Sequence, residues 1–192
     1  MRAITRPECP DPIALRTDYK VAVNKEALRQ ASFDKCMYCE SKVTHTYYGD
    51  VEHILPKAKN LFPELEFTWE NLGFCCAKCN NAKSNKYNPN IAIINPYNED
   101  PSEHLAAFGS LLLHIRGSER GEFTILVTDL NRDSLKEQRA HHLNQVQNAV
   151  DKCYRTHDPA LRALLFEALW EEAAPDKQFS IFAEALLKTS IT

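Results

Sequence analysis

Four short segments decide how this chain folds: Cys36-Met37-Tyr38-Cys39, Asp50-Val51-Glu52-His53-Ile54-Leu55-Pro56-Lys57, Asn71-Leu72, and Cys76-Ala77-Lys78-Cys79-Asn80 with Lys83 three residues later. The first and last segments each separate two cysteines by two residues, a spacing that is common in structural zinc sites. Because the middle segments add an acidic residue, a histidine and an asparagine, the region predicts chemistry beyond a structural metal.

The two cysteine pairs predict one structural zinc ion, with Cys36, Cys39, Cys76 and Cys79 as its ligands. Cys75 is an alternative to Cys76, since three intervening residues before Cys79 would also allow both thiolates to reach one ion. The matched spacing of the two pairs favours Cys76 and makes Cys75 an ordinary buried thiol. His45 is of a ligand type as well, but four thiolates already complete a tetrahedral site.

The bulk composition is that of a globular protein, with 192 residues, 44% hydrophobic and 26% charged. No apolar run approaches the roughly 20 residues that span a bilayer, and residues 1–12 lack the apolar core of an export signal. With seven cysteines and two metal-type pairs, we expect a reducing, cytoplasmic location and no membrane contact. The net charge of −3 gives no general affinity for nucleic acid, so DNA contact requires a local patch or a partner.

Periodicity and turn signals divide the chain into three parts. Residues 1–34 predict an extended N-terminal arm followed by a helix from Tyr19 to Phe33. Residues 35–90 predict the metal-binding core. Its expected elements are strands at Val43–Tyr48 and Val51–Leu55, a return strand at Leu72–Phe74 and a short helix within Cys76–Lys86.

Residues 91–192 predict a small hairpin and a helical extension, which is a possible partner-docking region. We expect a short helix over Glu103–Phe108 and two hairpin strands at Leu111–Arg116 and Glu122–Thr128. Three helices then follow, the first after Ser134 and the others at Pro159–Ala173 and Asp176–Lys188. In the first helix, the apolar residues are expected to form core rather than interface: Leu143, Val146, Val150 and Cys153.

The polar residues between the cysteine pairs suit phosphodiester hydrolysis. A neutral imidazole, His53, is a natural general base near neutral pH. A carboxylate from Glu52 and an amide oxygen from Asn80 form a sparse oxygen ligand set for a divalent cation such as Mg²⁺ or Mn²⁺. Neighbouring strand residues point to opposite faces, so Glu52 and His53 can share one site only if the strand ends or twists there.

The whole pattern resembles the HNH endonucleases. The resemblance implies a ββα-metal core braced by a four-cysteine zinc knuckle, hence an α+β fold with an additional β-hairpin and a helical C-terminal extension. By position, His53 resembles the general base, Asn71 the residue that fixes the catalytic loop, and Asn80 a metal ligand. Glu52 resembles the acidic metal ligand, where Asp is commoner, and Lys83 a lysine that contacts phosphate.

Outside the core, Ile94-Asn95-Pro96, Asp100-Pro101 and Leu130-Asn131-Arg132 are similar to a retron/Septu-associated, PtuB-like subfamily of HNH proteins. This resemblance implies an effector nuclease of anti-phage defence that cuts phage or plasmid DNA with an ABC/SMC-type, PtuA-like ATPase as partner. Two alternatives stay open: a zinc-knuckle module that binds nucleic acid or protein without catalysis, and a stand-alone restriction nuclease or toxin.

Overall fold

The computed structural model describes residues 1–43 and 48–191, which contain four strands and six α-helices. In chain order these are α1 (Ala22–Ala31), β1 (Asp50–His53), β2 (Leu72–Cys75), α2 (Ala77–Lys83), β3 (Leu105–Phe108), β4 (Leu111–His114), α3 (Glu119–Thr128), α4 (Asp133–Arg155), α5 (Pro159–Leu169) and α6 (Ser180–Ser190). The predicted fold class is confirmed. His45 and most of the predicted strand at Val43–Tyr48 lie outside the described residues.

The ββα core consists of β1, β2 and α2. The two strands pair antiparallel, with Asp50 opposite Cys75 and His53 opposite Leu72. Helix α2 starts directly after β2, and the Cys76 sulfur accepts a hydrogen bond from the Cys79 amide as its N-cap. Because side chains alternate along a strand, Asp50 and Glu52 share one face of β1, and α2 packs against that strand.

The N-terminal arm lies against the loop that joins β1 to β2. The Arg6 guanidinium donates to the carbonyls of Trp69 and Leu72 at 2.8 and 2.9 Å, and its central carbon lies 4.1 Å from the centre of the Tyr97 ring. The Trp69 indole donates to the Pro7 carbonyl at 2.9 Å. These contacts satisfy backbone groups at the end of the loop and hold the arm next to the core.

The predicted secondary structure of residues 103–128 is wrong at two elements. The segment Glu103–Phe108, predicted as a helix, supplies strand β3, which pairs with β4 across a tight turn at Gly109. The segment Glu122–Thr128, predicted as a strand, lies in α3. Its β-branched residues favour a strand in isolation, but Thr124, Val127 and Thr128 bury one helical face instead.

Helices α4, α5 and α6 enclose a small hydrophobic core of their own. Its buried residues are Val146, Val150, Cys153, Leu169, Ala183 and Leu187. Helix α6 begins at Ser180 rather than at the predicted Asp176. Its first turn lies against the cysteine knuckle, since the Glu40 carbonyl and carboxylate accept from the amides of Phe179 and Ile181. The extension therefore covers part of the metal-binding core.

Throughout the described ranges, none of the helices combines the length and apolarity that crossing a bilayer would require.

Two glycines with positive φ provide a matched test of the packing at β1. Gly49 has a φ of +66°, and a Cβ there would lie 2.3 Å from the buried Phe74 ring, whereas Gly109 has a φ of +53° and open space. We expect Gly109→Ala to cost about 1 kcal/mol in unfolding free energy, from backbone strain alone. Gly49→Ala adds a steric overlap and should cost roughly 2–4 kcal/mol. Urea denaturation of both variants measures the difference, and equal losses would contradict this packing.

Candidate functional site

The four predicted zinc ligands come together at one end of the ββα core. The sulfur atoms of Cys36, Cys39, Cys76 and Cys79 all lie within 4.8 Å of one another. Tetrahedral coordination with Zn–S bonds of about 2.3 Å places two sulfurs about 3.8 Å apart. The Cys39 and Cys76 sulfurs are 3.8 Å apart, so the residues present fit a zinc ion.

Cys75 lies outside this four-sulfur cluster but next to it. Its side chain is fully buried and its sulfur lies 3.6 Å from that of Cys36. Helix α2 caps on Cys76, which turns the Cys76 sulfur and not the Cys75 sulfur toward Cys39.

A half-buried arginine next to the thiols, Arg132, was not predicted as a site residue. The Arg132 guanidinium lies 3.4 Å from the Cys79 sulfur. Burial opposes its charge, but the thiolates of Cys79 and Cys39 outweigh burial and raise the pKa of Arg132 above its ordinary value. The guanidinium offsets part of the negative charge that four thiolates and one Zn²⁺ would carry.

His53 is the last residue of β1, and its ring is anchored by one nitrogen. Nε2 lies 2.9 Å from the Glu66 carbonyl, which can only accept, so Nε2 carries the proton and Nδ1 is the basic nitrogen. Burial lowers the pKa of His53, which keeps the imidazole neutral near neutral pH. The ring therefore has the tautomer and charge state of a general base.

Asn71 holds both ends of the loop that carries the Glu66 carbonyl. Its side-chain oxygen accepts from the Leu55 amide at 2.8 Å, and its side-chain nitrogen donates to the carbonyls of Leu55 and Leu65 at 2.9 and 3.3 Å. Leu65 immediately precedes Glu66, so Asn71 acts on His53 through the loop and not by direct contact.

Lys83 occupies a different position from the predicted phosphate contact. Its side chain is 1% exposed, and its ammonium lies 2.6 Å from both the His53 carbonyl and the Glu52 carboxylate. A buried ammonium with these partners is not available to a phosphate at the surface. Burial raises the pKa of Glu52 above its ordinary value, and the Lys83 ammonium partly offsets that effect.

Asp50 is a second carboxylate in the site that was not predicted as a site residue. Its side chain accepts a hydrogen bond from the Asn80 amide at 3.1 Å, and its charge contributes to the raised pKa of Glu52. The sequence signal was the i, i+2 spacing of Asp50 and Glu52, which places both on one strand face. Together Asp50, Glu52 and Asn80 form an all-oxygen donor set that suits Mg²⁺ or Mn²⁺.

Glu52, His53 and Asn80 line one cleft of about 300 Å³, with Tyr19, Pro56, Lys57 and Ser84 among its other walls. Neighbouring strand residues can share this cleft because β1 ends at His53. Glu52 and His53 could share one site only if the strand ended or twisted there, and the end of β1 meets this requirement. The cleft brings together the predicted base, the predicted acidic ligand and the predicted amide ligand, while Asn71 supports it from the loop.

This arrangement of strands, helix and cysteine knuckle agrees with a match to a known family. Residues 36–86 match the family model for HNH endonuclease. The matched segment contains both cysteine pairs together with Glu52, His53, Asn71 and Asn80. The resemblance predicted from the cysteine pairs, Glu52-His53, Asn71 and Asn80 is thus confirmed.

Two relatives extend the similarity beyond the HNH domain. The Septu protein PtuB of Bacillus mycoides (strain KBAB4) is 32% identical over 151 residues, which are 64% of this chain and 51% of the relative. The Septu protein PtuB of Bacillus thuringiensis is 36% identical over 110 residues, which are 56% of this chain and 41% of the relative. The chain spans about half the length of the curated relatives it matches, and the predicted PtuB-like resemblance is confirmed.

The neighbouring cysteines Cys75 and Cys76 allow a matched test of the zinc site. We expect one zinc per chain in the unsubstituted protein and in Cys75→Ser, since Cys75 lies outside the four-sulfur cluster. Cys76→Ser removes a thiolate ligand but still offers a hydroxyl that can cap α2, so it should lose zinc and, with the zinc, the folded core. Elemental analysis and circular dichroism of both variants measure this. Zinc retained in Cys76→Ser and lost in Cys75→Ser would reverse the assignment.

Proposed function

We propose that this protein is a metal-dependent HNH endonuclease that hydrolyses DNA phosphodiesters, with His53 as general base. The observation that carries the proposal is the hydrogen bond from His53 Nε2 to the Glu66 carbonyl. It leaves Nδ1 as the proton acceptor on a neutral ring that lines the same cleft as Glu52 and Asn80. A structural zinc site needs none of these three side chains.

In the proposed reaction, His53 Nδ1 removes a proton from a water molecule that attacks the phosphorus atom. Asn71 and the Glu66 carbonyl keep the imidazole oriented during this transfer. Glu52 and Asn80, with Asp50 beside them, would hold one Mg²⁺ or Mn²⁺. When bound, this ion supplies positive charge that stabilises the developing negative charge on the phosphate and the leaving oxygen. The four-cysteine zinc site is coordinatively closed and serves as a scaffold.

One contact favours a second candidate function, a zinc-knuckle binding module without catalysis. The Lys83 ammonium lies 2.6 Å from the Glu52 carboxylate, where it supplies positive charge that a bound cation would otherwise provide. The nuclease proposal requires one of two arrangements. Either the Glu52 carboxylate binds the metal ion while it also pairs with Lys83, or Asp50 and Asn80 supply most of the metal ligands. Binding of Mn²⁺ to the zinc-loaded protein separates the two functions, because the binding module needs no second metal.

Substitution of His53 tests the base directly. His53→Ala should reduce cleavage of plasmid DNA in Mg²⁺ or Mn²⁺ by at least about 10²-fold, because it removes the proton acceptor. Zinc content and circular dichroism should stay those of the unsubstituted protein. His157→Ala, on the exposed segment between α4 and α5, is the matched control and should cut normally. Equal cleavage by His53→Ala would show that another group acts as the base.

We also propose that the protein works in anti-phage defence with a PtuA-like ATPase. Similarity to Septu protein PtuB supports the defence role. The net charge of −3 supports a partner, because it gives little unaided affinity for DNA. An apolar stripe on α5 supplies a candidate docking surface: Leu161, Leu164 and Leu165 are exposed at helical spacing, with Trp170 nearby.

The docking surface has its own test. Leu164→Glu, at a side chain that is 62% exposed, should leave the fold intact and lower co-purification with the ATPase at least about 10-fold, since it places a charge in the apolar stripe. Leu126→Glu is the control, because Leu126 is 73% exposed on α3. If both variants retain the ATPase equally, α5 is not the docking surface.

A further inference from the structure

Tyr19 contacts the proposed base although it lies outside the matched HNH domain. The Tyr19 ring meets the His53 imidazole edge to face, with 4.6 Å between ring centres and 70° between their planes. Tyr19 is half-buried and also lines the cleft that holds Glu52 and Asn80. A residue from the segment that precedes the HNH domain is therefore part of the wall of the active cleft.

The contacts around His53 form a closed ring of four residues. The Lys57 ammonium lies 3.8 Å from the centre of the Tyr19 ring, a cation–π distance. The same ammonium pairs with the Glu66 carboxylate at 2.6 Å. The Glu66 carbonyl in turn accepts the proton of His53 Nε2 at 2.9 Å, which brings the ring back to the imidazole.

We propose that Tyr19, Lys57 and Glu66 act as positioning residues that hold the His53 imidazole in its reactive orientation. The proposal rests on the function proposed for His53. It adds that the segment before the HNH domain completes the active site and that Lys57 acts through Tyr19 and Glu66, not as a contact to the substrate.

The geometry explains why two different contacts are needed. A single hydrogen bond fixes one nitrogen of the imidazole but still lets the ring pivot about the line from nitrogen to oxygen. The edge-to-face contact with Tyr19 restricts that pivot, because rotation would break the preferred aromatic geometry. Lys57 links the two restraints, since it contacts the side chain of Glu66 and the face of Tyr19 at the same time.

Positioning can be separated from simple packing by the choice of substitution. Tyr19→Leu keeps an apolar side chain against the core but removes the aromatic ring, whereas Tyr19→Phe keeps the ring. Lys57→Met removes the ammonium but keeps the length of the side chain. Lys59→Met removes the same charge from an exposed position two residues later and is the control for lost attraction to DNA.

The experiment measures kcat and KM for plasmid cleavage in Mn²⁺, together with urea stability. We expect Tyr19→Leu and Lys57→Met to lower kcat by about 10- to 100-fold with KM little changed, because a misplaced base slows the chemical step. Tyr19→Phe and Lys59→Met should cut like the unsubstituted protein. The double variant Tyr19→Leu/Lys57→Met should be no slower than the slower single variant, because both changes open the same ring.

A second readout does not depend on cleavage. Nuclear magnetic resonance of the His53 imidazole at one fixed pH reports the ring-proton shifts and the share of the Nε2-protonated tautomer. Both should change in Tyr19→Leu and in Lys57→Met and stay constant in Tyr19→Phe and Lys59→Met. If Tyr19→Leu does not fold, the partly exposed Lys57 still tests the ring.

The outcomes for the ring and for the nuclease are distinguishable. Unchanged kcat and unchanged His53 resonances in folded Tyr19→Leu and Lys57→Met would overturn the positioning ring, and so would additive losses in the double variant. Absence of DNA cleavage by the unsubstituted protein, with its zinc, Mn²⁺ and the ATPase partner present, would instead refute the nuclease. In that case the imidazole resonances alone would decide whether the ring holds His53.

Discussion

The closing contact between Cys39 and Cys76 is the constraint on which the rest of the site depends. These two residues bound the segment 40–75, and their sulfurs lie 3.8 Å apart. The whole of β1, the loop that follows it and β2 lie within that segment. A two-stranded sheet of four residues per strand is marginal on its own. A zinc ion held by cysteines at both ends of the segment would remove much of the conformational entropy that otherwise opposes closing it.

A buried ion pair connects helix α2 to strand β1. The Lys83 ammonium reaches from the last turn of α2 to the carboxylate of Glu52 and the carbonyl of His53. Two charges taken out of water need good partners to be tolerated, and here each is the partner of the other. The same contact that orders the end of β1 therefore also sets the charge of the proposed metal site. The Lys83 side chain therefore contributes both to the packing of the core and to the electrostatics of the proposed metal site.

The parts of the fold that could be predicted are those that short-range residue spacing and residue type determine. Paired cysteines, the strand with Glu52-His53 and the helix after Cys76 follow from spacing and residue type alone. A helix was predicted for Glu103–Phe108, which supplies strand β3, and a strand was predicted for Glu122–Thr128, which lies in α3. Local secondary-structure preferences do not decide these segments, because tertiary packing outweighs them. Thr124 shows how: its hydroxyl accepts from the Ile94 amide inside the core, and this contact places it on a buried face of α3.

The same distinction applies within the site. His53, Asn71 and Asn80 are recognised by position in a motif, and the structure adds what the motif cannot contain: which nitrogen of the imidazole is basic. That property depends on the Glu66 carbonyl, which lies thirteen residues from His53. The ring also contacts Tyr19, which approaches from another part of the chain and which we propose helps to orient it. A general base is defined by its tautomer and orientation as much as by its identity. The sequence motif therefore identifies the candidate base, whereas contacts from outside the motif set the tautomer and surroundings of its ring.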